Sequence, residues 1–193
     1  MRVGEAPLIS AIISNHNYAQ YLGPAIESAL AQTYPNVEVI VVDDGSTDGS
    51  EAVVQRYGDR VRWFRQERQG VATARNRGVH ESRGALLSFL DADDLWHPDK
   101  LACQIERLGD PSVGVVGCGL QFIDARGEPL GTSVSGRSGR VLKDIVLLRW
   151  PGVPAFANGA LIRRACLDRV GLFDPALSTS ADWDLWRRIA CHY

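Results

Sequence analysis

No C-x-x-C pair occurs in these 193 residues, and Cys103, Cys118, Cys166 and Cys191 stand far apart, with no histidine at metal-finger spacing. That excludes a zinc module and argues against a disulfide framework, so the cysteines read as reduced thiols of a cytoplasmic protein. No stretch approaches the unbroken apolar length of a membrane span. The opening Met1-Arg-Val-Gly-Glu-Ala-Pro7 lacks the charged start, apolar run and small-residue cleavage site of a signal peptide. A soluble chain without a transmembrane segment is expected, leaving room for peripheral membrane association. Neither sign of charge dominates, because 21 Lys and Arg face 23 Asp and Glu for a net charge of -2. Without a basic field to collect phosphates, nucleic acid is not an expected partner. No internal repeat is visible.

What is present is enough apolar material for one substantial core, 45% hydrophobic against 23% charged residues, in a length that suits a single domain. The run 8–13 ends in Ser14-Asn-His-Asn17 and predicts a buried strand feeding a loop. Leu22, Ala25, Ile26, Ala29 and Leu30 share a helical face that stops ahead of Pro35. Strands are predicted over 37–42, 61–64 and 85–90, with helices over 50–57 and 70–81 between them. Such alternation is the pattern of an α/β domain with a mostly parallel sheet, and strands apolar at every position place cover on both faces. Beyond Pro98 the expected order is a helix to about residue 108, an apolar segment over 113–122 and a Gly- and Ser-rich loop over 124–140. A helix over 141–149, a proline-rich break over 150–154, a strand over 157–162 and a last helix from Ala181 complete the reading.

Polar clusters fall at the carboxyl ends of the predicted strands, where ligands bind in open α/β sheets. They are Ser14 to Asn17, the run Asp43-Asp-Gly-Ser-Thr-Asp48, and Asp91-Ala-Asp-Asp94. The second cluster fits either a site or a turn with a helix cap, since Asp, Ser and Gly suit both. It also has a faint likeness to a calcium loop, but Gln55 stands where such a loop needs its bidentate Glu. In the third cluster, carboxylates crowded into so few positions repel one another unless a cation or donors are present. Hard oxygen ligands of this kind suit Mg²⁺ or Mn²⁺ shared with substrate phosphates.

The motifs Ile12-Ile-Ser-Asn-His-Asn17, Ala31-Gln-Thr-Tyr34, Val41-Val-Asp-Asp-Gly-Ser-Thr-Asp48, Gly70-Val-Ala-Thr-Ala-Arg-Asn-Arg-Gly78 and Phe89-Leu-Asp-Ala-Asp-Asp-Leu-Trp-His-Pro-Asp99 follow in order. With Val170-Gly-Leu-Phe-Asp174 and Ala181-Asp-Trp-Asp-Leu-Trp186, the chain resembles glycosyltransferase family 2 over nearly its whole length. The resemblance implies a GT-A fold, a Rossmann-like three-layer sandwich around a mostly parallel sheet. It also implies an inverting enzyme that uses Mn²⁺ or Mg²⁺ to move a sugar from a nucleotide donor, expected to be a UDP-sugar, to a glycan, lipid-linked or protein acceptor in polysaccharide biosynthesis. Carried over residue by residue, it places Ser14, His16, Asp44, Arg75 and Asp91 on the nucleotide, Asp93 of the D-x-D motif on the metal, and Asp182 as general base. Arg75 also fits a helix-surface arginine with a local acidic partner. For Asp182 the plainer reading is an acid in a helix's first turn. Asp184 is expected to pair with Arg188 one turn on. Trp150, Trp183 and Trp186 suit sugar stacking or the core, with the core favoured for Trp186.

The chain departs from the family at Ser14-Asn-His-Asn17, where Pro-Thr-Tyr-Asn is usual, and at Ala181, where Glu usually precedes the base. Family domains also continue beyond the point matched by Tyr193, so a single domain truncated at its C-terminal end is expected, with a nucleotide-binding part to about residue 100 and an acceptor side after it. The competing class is a catalytically inactive nucleotide-sugar-binding or assembly domain. A nucleotidyltransferase would need a basic, glycine-rich loop directly after the first strand, which Ser14-Asn-His-Asn17 is not. A processive synthase would show a Gln-x-x-Arg-Trp element after the base, and none is present.

Overall fold

A computed structural model of the chain describes residues 6–133, 138–146, 159–177 and 180–193. Strand β1 (Ile9–Asn15), helix α1 (Ala19–Leu30), β2 (Val37–Asp44), α2 (Ser50–Gln55), β3 (Val61–Gln66), α3 (Val71–Glu81) and β4 (Leu86–Asp91) follow in turn. Then come α4 (Lys100–Arg107), β5 (Val115–Val116), β6 (Leu120–Ile123), β7 (Pro129–Ser133), α5 (Leu142–Val146), β8 (Leu161–Arg163), α6 (Arg164–Val170) and α7 (Ala181–Ala190). The central sheet has the order β3-β2-β1-β4-β8-β5. The pairs β3/β2, β2/β1 and β1/β4 are parallel, whereas β8 runs antiparallel to both β4 and β5. This is a mixed α/β fold with a mainly parallel sheet, as the family resemblance implies.

Alternate strand residues feed different cores, as the period of a strand requires. Ile9, Ala11 and Ile13 of β1 join Leu86 and Leu90 of β4 under α1 and α4. Ile12, Leu87 and Phe89 face the other way, toward α3, α6 and α7. Helix α3 comes so close to β1 that a Cβ on Gly78 would stand 2.3 Å from Ile12 Cγ2. Only a residue without that atom allows the approach.

Several expectations need correction. The apolar segment over 113–122 is two strands, since β5 joins the main sheet beside β8 while β6 leaves it to pair with β7. Residues 124–140, expected as a loop, contain β7. The hairpin turn is held by Asp124, whose Oδ1 accepts from the backbone N–H groups of Arg126 and Glu128 at 2.8 and 2.9 Å. Helix α6 was not anticipated, and the strand expected over 157–162 is described only as Leu161–Arg163. The predicted end of the helix over 141–149, the break over 150–154 and Trp150 lie outside the described residues.

Candidate functional site

The strand order reverses at β1, whose neighbours β2 and β4 lead off in opposite directions. Such a switch point opens a crevice at the carboxyl ends of the strands. Register brings the polar clusters together there, since Asn15 stands opposite Asp43 and Ser14 opposite Asp91. A cavity of about 340 Å³ opens at this edge, within the ordinary range for small-molecule sites. Ser14, His16, Asp44, Arg75, Asp91, Asp93 and Asp182 all line it, so every predicted site residue is on one surface.

The adjacent carboxylates at the end of β2 have separate surroundings. Asp43 is 2% exposed and structural in its contacts, its Oδ2 accepting from Asn15 Nδ2 at 2.8 Å and its Oδ1 from the Ser46 N–H at 2.9 Å. Asp44 lines the cavity while fastening the β3–α3 loop. Its Oδ1 accepts from Gln66 Nε2 and the Gln69 N–H, both at 2.8 Å, and its Oδ2 accepts from the Gly70 N–H at 2.8 Å. A carboxylate has room for about four such bonds, so one acceptor position remains. Gly70 takes φ +93, the left-handed side that suits glycine, to aim that N–H and open α3. Asp48 accepts from the Ala19 and Ser50 N–H groups, tying α1 to α2 in the manner of a cap rather than a cation loop.

His16 Nδ1 lies 2.8 Å from the Asp44 carbonyl, so Nδ1 carries the hydrogen, and Nε2 lies 3.3 Å from the Asn17 side-chain amide nitrogen. Arg75 is 5% exposed, which removes the surface-arginine alternative. Its Nη2 donates to Asp91 Oδ1 at 2.9 Å and its Nη1 to Asp182 Oδ1 at 2.8 Å, while Ser14 Oγ donates to Asp91 Oδ1 at 3.1 Å. One guanidinium thus joins the end of β4 to the start of α7 across the cavity. Asp184, by contrast, faces Arg188 and Arg187 at 2.7 and 3.1 Å, and although burial works against it these partners hold its carboxyl below the usual range. Trp186 is 3% exposed and belongs to the core.

Among the described residues no group of three or more His, Cys, Asp or Glu side chains gathers as a ready metal cage. Asp93 is exposed at the cavity wall beside Asp91. That donor set fits a hard cation held by one or two carboxylates and completed by ligand phosphates, the usual habit of Mg²⁺, and does not fit a closed protein-only site. Asn15, Tyr18, Val71, Ala74 and Ala92 also line the cavity and are not among the site residues predicted from the sequence. Val71 and Ala74 precede Arg75 by four and one positions on α3, and the helical repeat carried a signal for the first.

A second, smaller cavity of about 150 Å³ lies behind Asp43, lined by Asp48, Glu51, Trp63 and Arg65. Its acidic groups face Arg65 and the backbone donors already named. None of the residues singled out as catalytic or metal-binding lies there.

Comparison with known proteins identifies the family and the fold. The model of glycosyl transferase family 2 matches residues 10–170. A Rickettsia typhi protein named an uncharacterized glycosyltransferase is 38% identical over 186 residues, covering 94% of this chain and 58% of that one. A Nostoc sp. protein so named is 36% identical over 186 residues, covering 92% and 56%. The chain thus spans a little over half the length of these two relatives, and about a third or less of several other curated relatives it matches. Among solved structures, the mannosyltransferase PcManGT of Pyrobaculum calidifontis, in complex with GDP-Man and Mn²⁺, superposes with a TM-score of 0.75 at 26% identity, covering 98% of this chain and 54% of that one. TarS of S. aureus in complex with UDP-GlcNAc, at 22% identity and a TM-score of 0.75 over 96% of this chain and 54% of that one, shares the fold. With the family model matched over most of its length, the chain belongs to glycosyl transferase family 2.

Proposed function

We propose that the chain carries the transfer site of a metal-dependent, inverting glycosyltransferase that moves one sugar from a nucleoside-diphosphate sugar, of the UDP type, to a hydroxyl of a glycan, lipid-linked or protein acceptor. The observation that carries this reading is the convergence of Ser14, His16, Asp44, Arg75, Asp91, Asp93 and Asp182 on one cavity at the switch point of the sheet. The part up to about residue 100 supplies the nucleotide side and the remainder the acceptor side. The free thiols Cys103, Cys118, Cys166 and Cys191 accord with a cytoplasmic setting, and no described helix is long and apolar enough to cross a membrane.

In this reading Ser14, His16 and Asp44 bind the nucleoside, Asp44 through its remaining acceptor position. Asp91 and Asp93 stand where the diphosphate arrives, and Asp93, with Asp91 beside it, would hold Mn²⁺ or Mg²⁺. The cation when bound supplies Lewis-acid stabilisation of the charge on the departing diphosphate. The acceptor oxygen attacks the anomeric carbon opposite the leaving group, the bond from that carbon to the phosphate oxygen breaks with its electron pair on the nucleoside diphosphate, and the hydroxyl proton passes to Asp182. PcManGT, in complex with GDP-Man and Mn²⁺, supports a nucleoside-diphosphate sugar and a divalent cation. The second reading, a domain that binds nucleotide sugar without transfer, draws on Ala181, which lines the cavity where the family resemblance expects Glu.

Calorimetric titration of UDP, GDP and dTDP, with and without Mn²⁺, on the wild type and Asp93→Asn tests the site. One nucleotide is expected to bind in a metal-dependent way that the substitution reduces at least about tenfold, the scale of a lost ligand contact. Equal binding with and without metal in both proteins sinks the metal assignment. Turnover of the matching nucleotide sugar separates the enzyme from the binding domain.

A further inference from the structure

Arg75 is the only arginine or lysine among the described residues lining the cavity, where it meets the carboxylates of Asp91 and Asp182. It is also incompletely satisfied. Its Nε is buried without a hydrogen-bond partner, and the Phe173 ring lies 5.5 Å from the guanidinium carbon. A buried N–H without a partner is costly, and a ligand group that reached it would remove that cost. The contact to Asp182 poses a second problem. A carboxylate oxygen held at 2.8 Å by a guanidinium is not open to an incoming acceptor hydroxyl.

We propose that Arg75 is a donor-responsive latch on Asp182. In the free protein the guanidinium holds the Asp182 carboxylate. A nucleoside diphosphate entering the cavity competes for the same guanidinium, offers an acceptor to the unfilled Nε, and draws Arg75 off Asp182. The proposal rests on the reading of this cavity as a nucleotide-sugar site and adds the order of events within it. The acceptor hydroxyl finds an available base only after the donor is seated. Arg75 acts here through Asp182 and is a positioning residue. The neighbourhood tolerates the exchange, because Asp91 Oδ1 keeps the Ser14 hydroxyl at 3.1 Å and the Asp182 side chain is 25% exposed, with solvent to turn into.

Linkage makes the latch measurable without knowing the acceptor. If the ligand must displace Asp182, then Asp182 must weaken the ligand by the same factor. Asp182→Asn keeps the shape and removes the charge, so it is expected to bind UDP or GDP, with Mn²⁺ present, on the order of tenfold more tightly, although it has lost an ion pair. Removing a negative charge would favour any anion through the general field, so the cycle is closed with Arg75→Met and the double variant. The latch requires the gain to vanish without Arg75. Where Arg75→Met fails a thermal-unfolding check, Arg75→Lys replaces it, because an ammonium cannot fork between carboxylates and the gain should shrink markedly. A gain confined to proteins that retain Arg75 supports the latch. Unchanged or weaker binding by Asp182→Asn, or a gain that survives loss of Arg75, overturns it while leaving the nucleotide site intact. A wild-type chain that binds neither nucleotide overturns both.

Discussion

Asp44 is asked to do opposite things, and its neighbours show how. A carboxylate at the rim of a binding cavity is better kept accessible, yet this one is 4% exposed and anchors the β3–α3 loop through Gln66, Gln69 and Gly70. Donors from the loop neutralise the repulsion that adjacent Asp43 and Asp44 would otherwise feel, and they fix the direction of α3, on which Arg75 rides. Asp44→Asn replaces an acceptor by an amide that cannot face all those donors. It is expected to cost about 1–3 kcal/mol, the usual penalty for leaving a buried donor unmatched. Asp93→Asn, exposed and outside that network, is expected to stay within about 0.5 kcal/mol. Urea unfolding of both variants checks the contrast, and equal losses would mean that Asp44 does not hold the loop.

At the level of elements, the site depends on how closely α3 lies on β1. A methyl added at Gly78 meets Ile12 Cγ2 at 2.3 Å, so Gly78→Ala must push the helix outward or force Ile12 off its rotamer. The expected destabilisation is about 1–3 kcal/mol, typical of overpacking. Ile12→Ala in the same chain should recover part of it, giving a combined loss smaller than the sum of the single losses. Additive losses would place the strain elsewhere. The same dependence explains what could be read in advance. Strands β1, β2 and β4 were legible because each is an apolar run ending in a polar cluster, and with parallel pairing those clusters had to meet at one edge. The ion pair from Arg75 to Asp182 was not legible, since it joins residues far apart in sequence that meet only once the fold is assembled. Nor was the departure of β6 from the sheet, because apolar content does not tell a strand which partner it will take. Helix α6 did leave a trace in Gly171, which follows Val170 at φ +84 in the position of a helix-ending glycine.

Across the whole molecule, the antiparallel edge of the sheet is bound to the parallel part by a buried polar network centred on Lys100. Its Nζ donates to Ser88 Oγ at 2.9 Å and Gln104 Oε1 at 3.0 Å, and lies 4.0 Å from the centre of the Trp96 ring. Ser88 in turn donates to the Ala160 carbonyl, and Gln104 to the carbonyls of Val116 and Gly159, so β4, α4, β5 and the approach to β8 share one set of bonds. Burial pushes the Lys100 ammonium down to about 7, against a smaller opposing pull from Cys118. The unfolded chain keeps this proton up to about pH 10.4. Between these values the unfolded state binds more protons than the folded one, so stability rises with pH, by up to about 1.4 kcal/mol per pH unit. Below about pH 7 both states hold the proton, and the cost of burying the charge stays constant. Near pH 9 the Cys118 thiol, raised by burial, begins to act in the opposite direction, because the unfolded chain releases that proton first. The clean window is therefore about pH 7 to 8.5. There the urea midpoint of the wild type should climb, whereas Lys100→Met, which keeps the length of the side chain without its charge, should follow a flatter line. Parallel slopes for the two proteins would show that Lys100 holds its proton throughout the window and that the network is built around an ammonium.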